Sequence, residues 1–368
     1  MTVRVGFLGA GFIAEHHVAG LAASGADVDV AAVWDPDSSR AVGFADRHGA
    51  VVADGEGALV DAVDAVYVCT PTVEHPRLVR LAADAGRAVF CEKPLGVGLA
   101  EARDVAAAVA DAGVVNQVGL VLRDSPSFLL LRSLIDDPDD GPLLTLLFRD
   151  DQYLPVRGVY GSRWRGEVGA AGGGTLLEHS IHDLDLLTWL GGPVVGVSAR
   201  TAHHHRLEGI EDVAGVHLEF ASGGTAQLVS VWHDVLGRPS LRHVEVFRQR
   251  GWYSLEGDVW GPVRWQRSTV AEVEAADAVA PVAPGSAVRG APGEPQTVED
   301  DALRLELRQR GVRLRWPDGA FVAAVAAGVP ASPSVADALD AHVLAETAYR
   351  SAAAGGEWLD PQAVAAGS

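Results

Sequence analysis

Lys93 is a side chain suited to proton transfer, and it is the single lysine among the 29 basic residues of this 368-residue chain. Arginine serves a solvated surface about as well, but its pKa is too high for it to release a proton. Lysine offers a compact ammonium group whose pKa changes readily on burial. Lys93 is therefore a candidate catalytic residue. The alternative is that a single lysine is retained by chance at a position without a function.

Lys93 lies in the segment Cys91-Glu92-Lys93-Pro94, directly after a predicted buried strand. In open α/β sheets, ligands bind beside the carboxyl ends of the strands. Pro94 favours an extended backbone at the residue before it, which suits a side chain that must be held in place. The sequence therefore places Lys93 at the edge of a ligand crevice.

A second group of ionisable side chains lies in the segment 172–185, GGGTLLEHSIHDLD. Glu178 and His182 are four residues apart and Asp185 follows three later, so one face of a regular helix would carry all three. A solvated helix with an acidic first turn is the alternative interpretation. A metal site formed by the three is a third interpretation, which is disfavoured.

If the reaction is the oxidation of an alcohol, each of these groups has a role. Taking hydride from a carbinol carbon requires removal of the hydroxyl proton, and histidine titrates near neutrality, so His182 is the predicted acid/base. Lys93 would donate a hydrogen bond to the reacting oxygen and stabilise its charge, and Glu178 would orient the substrate or His182. Lys93 could instead be the base if burial lowers its pKa.

A glycine-rich turn follows the first predicted strand, at Gly9-Ala10-Gly11. Glycines there allow a tight turn and let backbone amides approach a pyrophosphate at a helix N-terminus. Asp35 ends the second predicted strand, where a carboxylate that binds the ribose hydroxyls is expected. We therefore predict that NAD is the cofactor, while Arg40 keeps NADP possible.

The order of predicted elements gives the fold class, α/β with two domains. Residues 1–123 alternate strand and helix, which predicts a Rossmann domain with a doubly wound parallel sheet. Residues 124–368 contain many strands and few helices, which predicts a substrate-binding and oligomerisation α+β domain with a large, mostly antiparallel sheet. The stretch 270–296 is rich in Ala, Pro, Gly and Val and is predicted to be a long surface loop.

Composition narrows the possible partners and the location. The net charge of −20 opposes binding to nucleic acid or to an anionic membrane. The N-terminus enters a strand at once and no apolar run is long enough to span a membrane, so we expect a cytoplasmic protein.

The cysteines and a run of histidines are given structural interpretations. Cys69 and Cys91 are predicted to be buried free thiols. The adjacent histidines at 203–205 would point in alternating directions, so a metal site there is not expected.

Several segments together resemble the Gfo/Idh/MocA family of NAD(P)-dependent oxidoreductases, named after glucose-fructose oxidoreductase, inositol dehydrogenase and a rhizopine-catabolism protein. The resemblance covers most of the chain. It is carried by GFLGAGFIA at 6–14, CTPTVEH at 69–75, EKPLG at 92–96, Trp164-Arg165, GGGTLLEHSIHDLDLLTWLGG at 172–192 and ADALDAHVLAETAYRSAAAGG near the end. The combination of EKP with the spaced Glu178 and His182 is the most specific part.

The resemblance implies the remaining site residues and an assembly. In the family, the lysine of EKP and the histidine matching His182 act at the substrate, with an acidic residue four positions earlier that is often aspartate where this chain has Glu178. The open sheet of the second domain often lies in an oligomer interface, so a homodimer or homotetramer is expected. The expected cofactor contacts are Gly9, Gly11, Phe12, Ile13, Asp35, Thr70, Pro71, His75, Glu92 and Lys93, and the expected substrate contacts are Arg123, Trp164, Arg165 and His182.

The predicted activity is hydride transfer between nicotinamide and a hydroxyl or keto carbon of a sugar, cyclitol or sugar-derived small molecule. Two alternatives stay open. A redox-neutral NAD-dependent glycosidase or lyase of the same family would retain its cofactor without net NADH production. A non-catalytic NAD-sensing regulator would need neither Lys93 nor His182.

Overall fold

Six parallel strands form the N-terminal sheet of the computed structural model, which describes residues 2–158, 160–277 and 295–367. The order β3-β2-β1-β4-β5-β6 is that of a doubly wound dinucleotide-binding sheet, so the predicted fold is confirmed here. The strands are β1 (Val3–Leu8), β2 (Val28–Trp34), β3 (Val51–Val52), β4 (Ala65–Val68), β5 (Ala88–Cys91) and β6 (Asn116–Val118).

Helices cover both faces of this sheet, which is why β4 and β5 are apolar and buried along their whole length. Helix α1 begins directly after the glycine turn, and α4 and α5 pack against each other on the other side. The helices are α1 (Phe12–Ser24), α2 (Ser38–His48), α3 (Glu56–Asp61), α4 (His75–Asp84) and α5 (Leu99–Ala112).

The second sheet has eight strands in the order β14-β13-β12-β11-β7-β10-β9-β8. Only β7 and β10 pair in parallel, and the other neighbours are antiparallel, as the sequence predicts. The strands are β7 (Leu143–Tyr153), β8 (Val194–Ala202), β9 (Val213–Phe220), β10 (Thr225–His233), β11 (Leu241–Arg248), β12 (Gly251–Glu256), β13 (Val263–Arg267) and β14 (Gln296–Val298).

Helices cover one face of the second sheet. Residues of β10 alternate between buried and exposed, and the buried ones join a core with residues from α6, α8 and α12. The opposite face carries the exposed residues of the same strands. The helices are α6 (Pro126–Ile135), α7 (Val168–Ala171), α8 (Ile181–Gly191), α9 (Val270–Asp277), α10 (Asp300–Gln309), α11 (Pro317–Ala327), α12 (Val335–Ala353) and α13 (Pro361–Ala365).

The structure departs from the predicted elements in two places. The apolar run 114–122 is a strand only at 116–118, after which the chain turns into a short 3₁₀ helix at 121–124. The prediction of a loop over 270–296 is wrong at both ends, because residues 270–277 form a helix and β14 begins at Gln296. Residues 278–294 lie outside the described residues.

The C-terminal part of the chain also completes the core of the first sheet. Phe321 and Val322 of α11 pack with Phe7 and Phe90, and Val335 at the start of α12 packs on the opposite side of the sheet. The division at residue 123 stays a prediction. The packing shows that the stability of the N-terminal sheet depends on residues far beyond that point.

Candidate active site

A cleft of about 1220 Å³ runs from the glycine turn along the carboxyl ends of the parallel strands to the second sheet. Nearly all predicted site residues line it, the exceptions being His75, Arg123 and His182, which lie outside the lining. The predicted residues in the lining are Gly9, Gly11, Phe12, Ile13, Asp35, Thr70, Pro71, Glu92, Lys93, Trp164, Arg165 and Glu178.

The glycine turn is shaped for a close backbone approach. Gly9 has a φ of 97°, and a Cβ there would lie 2.4 Å from the carbonyl oxygen of Cys69. Gly11 is the N-cap of α1 and makes no side-chain cap, so the first amides of the helix have no side-chain acceptor there. A Cβ on Gly11 would meet nothing within 4 Å, which leaves open space in front of these donors. An anionic pyrophosphate fits this place.

Asp35 follows β2 at the far end of the cleft. One carboxylate oxygen accepts a hydrogen bond from the Ala10 amide at 2.8 Å, and the other accepts one from the Asp37 amide at 2.8 Å. Each oxygen retains a lone pair, so the carboxylate can also accept from ribose hydroxyls. Arg40 is exposed nearby and lies 3.5 Å from Asp37.

The loops after β4 and β5 form the middle of the cleft. His75 is buried and contacts the carbonyl oxygens of Pro94 at 2.6 Å and Thr70 at 3.0 Å, so it fastens the two loops together. The hydroxyl of Thr70 is buried and has no hydrogen-bond partner among the described residues, which leaves a polar atom for a bound ligand. The glycine turn, Asp35 and Thr70 together fit a dinucleotide.

A buried histidine, His17, forms a hydrogen bond with Glu92. His17 contacts Glu92 at 3.0 Å and Asp318 of α11 at 2.7 Å. Burial by itself would lower the pKa of His17, but the hydrogen bonds to Asp318 and Glu92 raise it to about 9. A Cβ on Gly20 would lie 2.1 Å from a carboxylate oxygen of Asp318. A larger residue at this position of α1 would therefore collide with Asp318.

Lys93 reaches from the first sheet to the catalytic segment of the second domain. Its Nζ donates a hydrogen bond to the carbonyl oxygen of Glu178 at 2.7 Å, and its backbone amide donates to Glu92 at 3.3 Å. Burial lowers the pKa of the Lys93 ammonium, and the Glu178 carboxylate opposes that shift. Lys93 thus lies at the junction between the cofactor part and the remainder of the cleft.

The segment that carries Glu178 is not the regular helix that the spacing predicts. Residues Thr175–His179 form one π-helical turn, in which the Ser180 amide donates to the Thr175 carbonyl oxygen at 2.8 Å, and α8 begins only at Ile181. Asp185 lies outside the cleft lining and does not join Glu178 there. It forms an ion pair with Arg123 at 2.5 Å, which also explains why Arg123 lies outside the lining.

Glu178 is buried and serves as an acceptor for two residues of the cleft. Its carboxylate accepts hydrogen bonds from the Thr72 hydroxyl at 2.7 Å and from Nε of Arg165 at 3.1 Å. The Arg165 guanidinium also stacks on Trp164, 4.4 Å from the ring centroid, and donates to Ser162 at 2.9 Å. Glu178 thus orients a cationic side chain in the substrate part of the cleft.

His182 lies close enough to Lys93 to be affected by its charge. Burial lowers the pKa of His182 well below 6.5, and the positive charges of Lys93 and Arg242 lower it further. Its Nδ1 is buried without a hydrogen-bond partner among the described residues. The imidazole is therefore neutral at physiological pH.

His179 is a cleft residue that the sequence reasoning missed. It lines the cleft beside Glu178, and its Nε2 lies 3.0 Å from the carboxylate of Asp150 on β7. The sequence does contain one indication of this contact. The alternation of β7 places Asp150 on the buried face of the sheet, and a buried carboxylate needs a partner such as a histidine. Trp232 of β10 also lines the cleft.

Neither a metal site nor a membrane span is found within residues 2–158, 160–277 and 295–367. No group of three or more His, Cys, Asp or Glu side chains there is arranged to hold a metal ion. No helix in these ranges is both long and apolar enough to cross a membrane.

The sequence matches known protein families and individual enzymes. Residues 3–120 match an oxidoreductase family described as an NAD-binding Rossmann fold, and residues 128–254 match the GFO/IDH/MocA C-terminal domain. The chain is 33% identical to a 1,5-anhydro-D-fructose reductase of Ensifer adhaerens over 61% of its own length and 68% of the reductase. It is 35% identical to an inositol 2-dehydrogenase of Rhizobium meliloti over 55% of its length and 59% of that enzyme.

The fold as a whole is also that of a known enzyme structure. A levoglucosan dehydrogenase in complex with NADH and levoglucosan superposes with a TM-score of 0.80 at 20% identity, covering 98% of this chain and 99% of the other. The cofactor type, the enzyme class and the resemblance seen in the sequence are thereby confirmed. The chain belongs to the GFO/IDH/MocA family of NAD-dependent oxidoreductases.

Proposed function

We propose that the protein interconverts a secondary hydroxyl and a keto group on a sugar, cyclitol or sugar-derived small molecule. The observation that carries the proposal is the contact of Lys93 Nζ with the Glu178 carbonyl oxygen at 2.7 Å. It joins the cofactor part of the cleft to a substrate part with several polar groups. NAD bound along the glycine turn would supply the hydride acceptor or donor.

The substrate part of the cleft suits a small polyhydroxylated molecule. Arg165, Ser162, Tyr160 and Gln152 offer hydrogen bonds, and Trp164 offers an aromatic ring. Relatives that act on inositol, on anhydrofructose and on levoglucosan support the same substrate class. The cytoplasmic location and the homo-oligomeric state expected from the sequence stay predictions.

The roles of Lys93 and His182 follow from the directions of their pKa shifts. A proton carrier works best when its pKa is near the operating pH. Burial lowers the pKa of Lys93 from its ordinary 10.5 and so toward neutrality, whereas the pKa of His182 falls well below 6.5. We therefore assign Lys93 the hydroxyl proton during oxidation. His182 lies outside the cleft lining and is assigned no direct contact with the substrate. The proposed proton carrier is thus Lys93 and not His182, which the spacing of residues suggests.

Glu178 acts through its neighbours in this account. Its carboxylate fixes Arg165 and Thr72, and its carbonyl oxygen fixes Lys93. A shorter aspartate at position 178 would move the carboxylate contacts with Arg165 and Thr72 by about one methylene and leave the backbone contact with Lys93 in place. Glu178→Asp is therefore expected to raise KM more than it lowers kcat.

A panel of sugars, inositols and sugar acids tests the proposal. The protein is mixed with NAD and each compound, and NADH formation is followed by its absorbance. We expect sustained NADH formation with at least one polyol. A redox-neutral glycosidase or lyase would release product without net NADH, and a regulator would bind NAD without turnover of any compound; either result would overturn the proposal.

A further inference from the structure

The side chain of His179 is held on one edge and open on the other. Its exposed fraction is 12%, and the exposed part faces the cleft that it lines next to Glu178. Its Nε2 points away from the cleft, to Asp150, whose side chain is fully buried. The two ring nitrogens therefore have different environments.

The surroundings of Asp150 fix which nitrogen carries the proton. Its carboxylate also accepts from Nη2 of Arg242 at 3.1 Å and from the Ser180 hydroxyl at 3.1 Å. A carboxylate surrounded by donors accepts from His179 as well, so Nε2 bears the hydrogen. Burial, followed by the positive charges of Arg242 and Lys93, lowers the pKa of His179 to about 3, so the ring stays neutral. Nδ1 is then a bare acceptor.

No described residue supplies a donor to Nδ1 of His179. Trp232 lies on the same wall, because it follows Ser230 by two residues on β10 and Ser230 contacts Ser180 at 2.6 Å. The indole Nε1 of Trp232 is buried, donates only, and also has no partner within the described part of the chain. An acceptor on His179 and a donor on Trp232 are thus both without a partner among the described residues, and both side chains line the cleft.

We infer that His179, fixed by Asp150, is a specificity residue that accepts a hydrogen bond from a substrate hydroxyl other than the reacting one. The inference rests on the proposed function, because it needs a polyol in the cleft. It implies that the substrate carries a hydroxyl donor at that position. A deoxy or deoxyfluoro analogue cannot donate, and it would bind less well.

The substitutions His179→Gln and His179→Asn separate the two edges of the ring. Glutamine places an amide donor near Nε2 and can keep the bond to Asp150, but it has no acceptor at the Nδ1 position. Asparagine places its oxygen near Nδ1 and loses the bond to Asp150. His203→Gln, at an exposed position after β8, is the matched control.

Kinetics with the best polyol of the panel and its deoxy analogues test the inference. For His179→Gln we expect an increase in KM of roughly 10- to 100-fold with little change in kcat, unchanged NADH affinity, and loss of discrimination against one deoxy analogue. His179→Asn should recover part of that discrimination. Discrimination that persists in full in His179→Gln would overturn the inference.

The protonation state of His179 can be measured without any substrate. Nitrogen-15 spectra of histidine-labelled protein, with His179→Gln to assign the signal, should show a neutral ring protonated at Nε2. Protonation at Nδ1 would overturn the inference. If no polyol is oxidised, the proposed function fails, while these spectra still decide whether the acceptor exists.

Discussion

At the scale of single residues, the site consists of side chains whose protonation is set by burial and by one fixed partner each. Lys93 is held by a carbonyl oxygen, Glu92 by His17, and His179 by Asp150. These partners come from different parts of the chain, so spacing in the sequence does not reveal them. The sequence does identify Lys93, because lysine is otherwise absent.

Cofactor preference is decided at Asp35. Its carboxylate accepts from backbone amides at 2.8 Å and would repel a 2′-phosphate, so we expect NADH to bind more tightly than NADPH. Asp35→Ser should weaken NADH binding and improve NADPH binding, because Arg40 is nearby. Titration of protein fluorescence with both nucleotides measures this. Wild-type protein that binds NADPH as tightly as NADH would refute the assignment.

At the scale of elements, the sequence correctly predicts the parallel sheet and the alternation of strands and helices along the chain that forms it. Strands such as β4 and β5 are apolar throughout because helices cover both faces, and such runs are easy to recognise. The π-helical turn at Thr175–His179 is not predictable from spacing, because a four-residue interval fits both helix types. The ion pair of Asp185 with Arg123 and the contact of His179 with Asp150 also join residues far apart in the chain, which spacing does not reveal.

The contact of α1 with α11 predicts a pH dependence of stability. His17 has a pKa of about 9 in the folded protein, above its ordinary 6.5, so its imidazolium stabilises the fold below about pH 6.5. That stabilisation declines as the pH rises and is lost above about pH 9. Urea unfolding between these pH values should show a decline of about 3 kcal/mol in the free energy of unfolding.

His17→Gln provides the control for this decline. Glutamine can still donate a hydrogen bond, but it does not titrate, so the variant should be less stable near neutrality and should lack the decline between pH 6.5 and 9. A variant with the same pH dependence as the wild type would show that His17 is not its source.

At the scale of the whole molecule, no helix among the described residues covers one face of the eight-stranded sheet. Val229, 45% exposed, lies on that face with Val231 and Leu147 on neighbouring positions. Exposed apolar side chains on a sheet face, here interspersed with polar ones such as Gln227 and Arg149, are found at protein interfaces. We therefore predict a homo-oligomer formed through this sheet.

Val229→Glu tests the assembly. A carboxylate in place of the apolar side chain would have to lose its water at the interface, with Arg149 on the neighbouring strand as the nearest opposite charge, so the variant should dissociate or assemble much more weakly in sedimentation experiments. Val329→Glu, at an exposed valine after α11 and outside the sheet, is a control for the added charge. A wild-type protein that sediments as a monomer at all concentrations would contradict the prediction.

The central claim is that Lys93 carries the proton, and comparison of Lys93→Arg with Lys93→Met tests it most directly. Arginine keeps the positive charge but cannot release a proton, so both variants should lose at least about 100-fold in kcat while NADH affinity changes little. If Lys93 only stabilises charge, Lys93→Arg would keep kcat within about tenfold of the wild type and Lys93→Met alone would fail. That result would return the proton to His182 and contradict the account.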